Sequence, residues 1–319
     1  MAVMTRKYQV KDNKDKETFL NICEDAINGN TARWDIIYKV RNTLYGIDMG
    51  GRQFVLKCFA VPSVFKRIYY SVLCKSKAFR AYFNGLKMLQ KGGYTANVIG
   101  YLEVVKWGLL EKSFFLTENL SEYSEIRKQM KGIDLTDAFS DALISFIADM
   151  HRNGIYHKDM SPGNILYREK DLDFKIVDIN RMSFFDGELD FETSALSFYR
   201  LSDGKTEILS ELSGKYAVAR GFDPDLFVSC VSDYADRFFM KKMYKWSVTR
   251  PEKPHVNKLA YTANLLFFIF VRKIRHILGE NMISSKIKNY ESAFYFRHLQ
   301  YNDVRGVMIR KEGYKTETV

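Results

Sequence analysis

The chain carries His157-Lys158-Asp159-Met160-Ser161-Pro162-Gly163-Asn164-Ile165-Leu166, and shortly after it Phe174-Lys175-Ile176-Val177-Asp178-Ile179-Asn180. One aspartate stands five residues before an asparagine, and a second closes a short β-rich run. This layout suits phosphoryl transfer. That reaction asks the protein for little covalent chemistry: the attacking hydroxyl must be held in line, and metal ions must neutralise charge on the phosphates. Asp159 would accept or orient the substrate hydroxyl, while Asn164 and Asp178 would hold Mg²⁺. A loop whose Asp159 and Asn164 only bond their own backbone would show the same spacing. The flanking pattern argues against that bland reading.

Upstream of the loop, Phe139, Leu143, Ile144, Phe146, Ile147, Met150 and His151 recur at three- and four-residue intervals, which predicts a helix. Pro162-Gly163 tightens the loop before Asn164, and residues 174–177 form the strand that delivers Asp178. Towards the N-terminus the pattern predicts a short helix over 16–27. Strands follow over 37–45 and 53–59, joined through Gly46 and the turn Asp48-Met49-Gly50-Gly51. Beyond Pro62 one long helix is expected over 64–90, stopped by Gly92-Gly93. Strands over 98–105 and 113–116 lead to a connector at 117–122. The expectation is an α+β, protein-kinase-like bilobal fold: a small β-rich N-lobe with one long helix (1–117), a larger helical C-lobe (118–250) and a C-terminal helical extension (251–319).

In that frame Lys57, at the end of Phe54-Val55-Leu56-Lys57, is the lysine for the α- and β-phosphates of ATP, and Glu118 meets the adenine through its main chain. Two usual parts are missing. Gly46, Gly50 and Gly51 do not make a G-x-G-x-x-G loop. The helix after Lys57 reads Phe79-Arg80-Ala81-Tyr82-Phe83-Asn84 and offers no acid to pair with the lysine. The nearest later acid, Glu103, is the substitute partner expected from the sequence.

At 319 residues, 46% hydrophobic and 15% aromatic, the chain is long and apolar enough for two cores, and it is not a disordered tether. Cys23, Cys58, Cys74 and Cys230 form no C-x-x-C pair and read as reduced, buried thiols. No apolar leader follows Met1, which suggests a cytoplasmic protein. The formal charge of +11 points to an acidic partner. Nine cations and no carboxylate occupy residues 52–102, which reads as a solvated basic face or, beside the phosphate site, as an anion-binding surface.

With these phrases in view, the sequence resembles the lipopolysaccharide kinase (Kdo/WaaP) family, most closely the form found in Bacteroides-type bacteria. The resemblance rests on Val55-Leu56-Lys57-Cys58-Phe59, Ser76-Lys77-Ala78, Asn84-Gly85-Leu86, the 157–166 loop, Val177-Asp178-Ile179-Asn180-Arg181-Met182 and, more weakly, Arg220-Gly221-Phe222-Asp223. It implies ATP- and Mg²⁺-dependent phosphorylation of a sugar of the lipopolysaccharide inner core, 3-deoxy-D-manno-octulosonic acid (Kdo), on a lipid A-linked acceptor. It also implies Asp159 as the catalytic aspartate, Asn164 and Asp178 as metal ligands and Lys57 as the phosphate-binding lysine. The absence of an A-P-E motif after Asp178, and Lys158 in place of the H-R-D arginine, fit a non-protein acceptor. A small-molecule kinase of aminoglycoside or choline type and a pseudokinase scaffold are the competing readings; nucleic acid is not expected as a partner. The apolar run 259–271, followed by Arg272, Lys273 and Arg275, is too short to span a bilayer. It reads as a buried helix or as an interfacial one, peripheral on the anionic inner face of the inner membrane.

Overall fold

The computed structural model describes residues 4–249, apart from 62, 73, 132–135 and 203–204. The expected extension over 251–319, with its apolar run, lies outside the described residues. Two compact units divide the chain: residues 1–131 with 145–190, and 132–144 with the segment from 191 onward. No helix among the described residues is long and apolar enough to cross a membrane.

The first unit is built on a six-stranded antiparallel sheet in the order β1-β5-β6-β4-β3-β2, made by β1 (Met4–Val10), β2 (Asp35–Lys39), β3 (Thr43–Met49), β4 (Arg52–Phe59), β5 (Val98–Lys106) and β6 (Leu109–Glu118). Side chains alternate between the faces of a strand, and both faces are used. Phe54 and Leu56 of β4, Leu102 and Val104 of β5, and Phe114 and Leu116 of β6 are buried against Phe19, Ile22 and Cys23 of helix α1 (Lys16–Asn28). The opposite face carries Val55, Lys57, Tyr101 and Phe115. Here Tyr101 lies 5.3 Å, ring to ring, from both Phe79 and Tyr82 of a second helix.

Three sequence expectations change. The strand expected over 37–45 is a hairpin, β2 and β3 joined by Val40-Arg41-Asn42. Asn42 pins the turn by accepting from the Ala60 N–H with its side-chain oxygen at 3.2 Å, and no glycine or proline signals it. The single helix expected over 64–90 is two, α2 (Val64–Val72) and α3 (Lys77–Lys91). The break comes from Ser76, whose hydroxyl accepts from the Phe79 N–H at 3.1 Å and caps α3. Strand β1 was not expected at all, because its polar, exposed Thr5, Arg6 and Lys7 gave no periodicity; its pairing with β5 places it.

The rest of this unit is β7 (Ser124–Glu125), the second half of α4 (Asp137–Arg152), and the strands β8 (Ile155–His157), β9 (Ile165–Arg168), β10 (Asp173–Ile176) and β11 (Met182–Phe184). Phe146 of α4 packs 5.5 Å from Phe174 and 5.8 Å from Tyr94. The second unit gathers α5 (Phe191–Phe198), α6 (Thr206–Arg220) and α7 (Pro224–Thr249) around Phe198, Tyr216, Phe222 and Phe227. Lys215 joins α6 to the start of α4 through Asp141 at 2.8 Å and Asp137 at 3.0 Å. All four cysteines are free thiols, Cys23 fully buried and the others partly.

The helix break gives a test with a sign. At an N-cap, Ser76→Ala should cost about 1 kcal/mol of stability, whereas inside a continuous helix the same change would stabilise, since alanine is the better helix former. Urea unfolding of the two proteins decides between them.

Candidate active site

Two loops carry the residues singled out by the sequence, and both are clamped at each end by strand pairing. Residues 158–164 run from β8 to β9, and residues 177–181 run from β10 to β11. β8 pairs antiparallel with β11, His157 opposite Met182, and β9 pairs antiparallel with β10, Ile165 opposite Ile176. The first register places Asp159 beside Arg181, and the second places Asn164 beside Val177. Main-chain bonds stitch the loops together between the clamps: Lys158 N–H to Arg181 O at 3.1 Å and Val177 N–H to Asn164 O at 2.9 Å.

Within the first loop the local bonds fix the side chains. The Asp159 N–H donates to Nδ1 of His157 at 3.0 Å, so the imidazole keeps its proton on Nε2. The Asn164 side-chain amide donates to the Asp159 carbonyl at 2.7 Å, which leaves its Oδ1 as the acceptor end. Gly163 lies under the Arg127 guanidinium, which a Cβ there would have to displace from 2.7 Å. Asp159 itself pairs with Arg181, Oδ2 to guanidinium nitrogen at 3.2 Å.

In the second loop Asp178 adopts the left-handed conformation, φ 56 and ψ 45, which costs a non-glycine residue energy and is held by its surroundings. Its Oδ1 accepts from Nζ of Lys57 at 2.5 Å and from the Asn180 side-chain amide at 2.5 Å. Burial pushes the Asp178 carboxyl up, but the charge and hydrogen bond of Lys57 outweigh it, so its pKa lies below the ordinary carboxylate value. Register brings the lysine there: Lys57 stands opposite Leu44 on β3 and Phe115 on β6, on the α3 face of the sheet.

Lys57 therefore has a partner, and it is not Glu103. Glu103 lies on β5 and lines a separate cavity of 350 Å³ with Lys7, Lys75 and Phe79. Helix α3 contributes without an acid. Asn84 donates its side-chain amide to the carbonyl of Ile179, the residue after Asp178, at 2.7 Å. Gly85 lets the helix come close, since a Cβ there would lie 2.4 Å from Val98 and 3.0 Å from Ile179. Asn84 and Arg181 were missed as functional residues by the sequence reading; both stood within phrases that carried the resemblance, but their partners lie far along the chain.

Glu118 ends β6. Its N–H donates to the Asn97 carbonyl at 2.9 Å, and its carboxylate takes Arg52 at 2.9 Å. A half-exposed apolar patch flanks Lys57 on the same face: Val55 opposite Gly46, with Ile37 resting over the glycine.

The donor set suits a hard cation. Among the described residues no group of three or more His, Cys, Asp or Glu forms a metal cage. One carboxylate, Asp178, and one amide oxygen, Asn164, stand in the two loops that the Val177 N–H to Asn164 O bond joins. A site of few protein oxygens is what Mg²⁺ uses when phosphates and water complete its octahedron.

Burial pushes His157 down to about 4, against the raising influence of Asp159 and Asp178. A histidine that is neutral when folded and ordinary when unfolded contributes stability that is complete above pH 6.5, the unfolded value. It is lost as pH falls towards 4, since there the unfolded chain binds the extra proton. The loss amounts to about 3 kcal/mol. Denaturation curves between pH 7 and 4 should show it in the wild type, and His157→Gln should flatten that part of the slope.

Residues 47–184 match the family described as lipopolysaccharide kinase (Kdo/WaaP). The fold is similar to a structure of WaaP in complex with acyl carrier protein, with a TM-score of 0.50 and 13% identity over 72% of this chain and 98% of that one. A structure of the bifunctional kinase-methyltransferase WbdD is more distant, with a TM-score of 0.39 and 14% identity over 61% of this chain and 43% of that one. No curated protein sequence matches the chain. The WaaP likeness accords with the expected protein-kinase-like fold, and the matched stretch holds both clamped loops together with Lys57. Over residues 47–184 the chain is thus similar to the lipopolysaccharide kinase (Kdo/WaaP) family, phosphotransferases that act on sugar hydroxyls.

Proposed function

We propose that the protein transfers the γ-phosphoryl group of ATP to a hydroxyl of Kdo in the lipid A-linked inner core. One observation carries the reading: two strand clamps bring Asp159, Asn164 and Asp178 into facing loops, and Lys57 reaches the same loops from β4. Asp159 takes the proton of the attacking hydroxyl as the new O–P bond forms. The bond from the γ-phosphorus to the bridging oxygen breaks, and ADP leaves with its electron pair. Asp178 and Asn164 would hold Mg²⁺, which supplies charge neutralisation on the phosphates. Lys57 changes partner or shares its donors, turning from Asp178 to the α- and β-phosphates. Ile37, Gly46 and Val55 offer an apolar cover for the adenine, and the Glu118 carbonyl a polar contact.

The reading includes a setting. A cytoplasmic enzyme with access to ATP, peripheral on the anionic inner leaflet, would meet the acceptor where it is anchored, and the excess of cations over 52–102 suits a phosphorylated glycolipid. The WaaP relative was solved with acyl carrier protein, and an acidic protein partner is compatible with the same charge.

The test is transfer of labelled γ-phosphate from Mg·ATP to purified Kdo-lipid A. Wild type should label the lipid, and Asp159→Asn should lower the rate by about 10³-fold, within the range of general-base effects. Lys57→Ala should abolish the rise in melting temperature that Mg·ATP gives the wild type. Nucleotide binding without lipid labelling would exclude this acceptor, and labelling undiminished in Asp159→Asn would exclude the assigned base.

A further inference from the structure

The geometry points to Arg181 as a catalytic residue that holds the γ-phosphoryl group. This inference rests on the kinase reading above and names a group that the reading did not assign. Three observations carry it.

The first is position. Arg181 pairs with the proposed base, Asp159, at 3.2 Å, and its charge also helps to lower the Asp178 carboxyl. It therefore lies within electrostatic reach of both acids, where the phosphoryl group must pass between metal ligand and base. Its backbone is fixed, through the 3.1 Å bond from the Lys158 N–H and the pairing of Met182 with His157.

The second is unused capacity. A guanidinium has five N–H donors in a planar fork that matches phosphate. Arg181 is half exposed and makes one hydrogen bond, to Asp159; its other donors have no protein partner among the described residues. A fork with idle donors beside two acids is suited to an incoming anion and not only to a structural ion pair.

The third is charge. Asp159 and Asp178 are balanced in this structure by Arg181 and Lys57. The position two residues after Asp159 is Ser161, which brings no charge. A triphosphate with its metal adds net negative charge. Lys57 is expected at the α- and β-phosphates, which leaves Arg181 to meet the γ-phosphate and the charge spread over its oxygens during transfer. On engaging that group Arg181 loosens its hold on Asp159 as the phosphoryl group arrives.

Calorimetry on the full chain tests this without turnover, using Mg²⁺ with ADP and with the β,γ-imido analogue of ATP. The wild type should prefer the triphosphate by about 10-fold, the size of one charge-assisted contact. Arg181→Ala should bind ADP as before and lose the preference to within about 2-fold. In the lipid-labelling assay its kcat should fall by about 10²- to 10³-fold, with partial rescue by added guanidinium ion. Arg181→Lys should fall between the two, retaining charge but not the fork; it also serves if the alanine variant fails to fold. A preserved triphosphate preference overturns the inference, as does a loss confined to the KM of the acceptor. If the wild type binds both nucleotides and labels lipid while Arg181→Ala is unchanged, only the role of Arg181 fails. A wild type that binds neither nucleotide overturns the kinase reading as well.

Discussion

The ion pair between Lys57 and Asp178, at 2.5 Å, is the contact on which the arrangement of the site depends. It joins residues 121 positions apart and ties the six-stranded sheet to the loop that follows β10. The lysine side chain is only 15% exposed and the aspartate 35%, so breaking one side would strand a partly desolvated charge. Asp178 also stands in a left-handed conformation that needs support. The support comes from three directions: Lys57 from the sheet, Asn180 from its own loop and α3 through the Ile179 carbonyl.

The role of α3 follows from that pair. In a protein kinase a helix glutamate holds the lysine. Here the helix holds the aspartate loop directly, and the aspartate holds the lysine. Asn84 supplies a neutral donor to a carbonyl, and Gly85 removes the side chain that would keep the helix at a distance from Val98 and Ile179. The absent acid is thus not a vacancy in the charge balance. Asp178 pairs with Lys57 and Asp159 with Arg181, and His157 stays neutral because burial makes its charged form costly.

Such pairing gives the resting site a defined state that a ligand can exchange. Metal and phosphates compete for the same oxygens and the same N–H donors that now satisfy one another. The competing interactions act between charged groups at short range in a partly desolvated site, where each is stronger than in water. The strand clamps keep the backbone in place while the side chains change partners, which keeps reorganisation small.

What the sequence by itself determined was the part written in short-range spacing. Asp159 and Asn164 are held by a loop closed through Ser161, and Asp178 follows the last residues of a strand, so each was legible from neighbours alone. The helix over Asp137–Arg152 and the strands around Lys57 were legible for the same reason, from period and alternation. The turn at residues 40–42 was not, because its Asn42 bond to Ala60 is a tertiary contact without a glycine signature. Nor was the partner of Lys57. Glu103 was nearer in sequence, but strand register and the close approach of α3 decide which carboxylate the lysine reaches, and they select Asp178. Arg181 has the same character: its type was visible from the start, and only the pairing of β8 with β11 placed it at Asp159. Local spacing constrains the backbone within a few residues, whereas an ion pair between distant segments depends on packing that no short window of sequence contains.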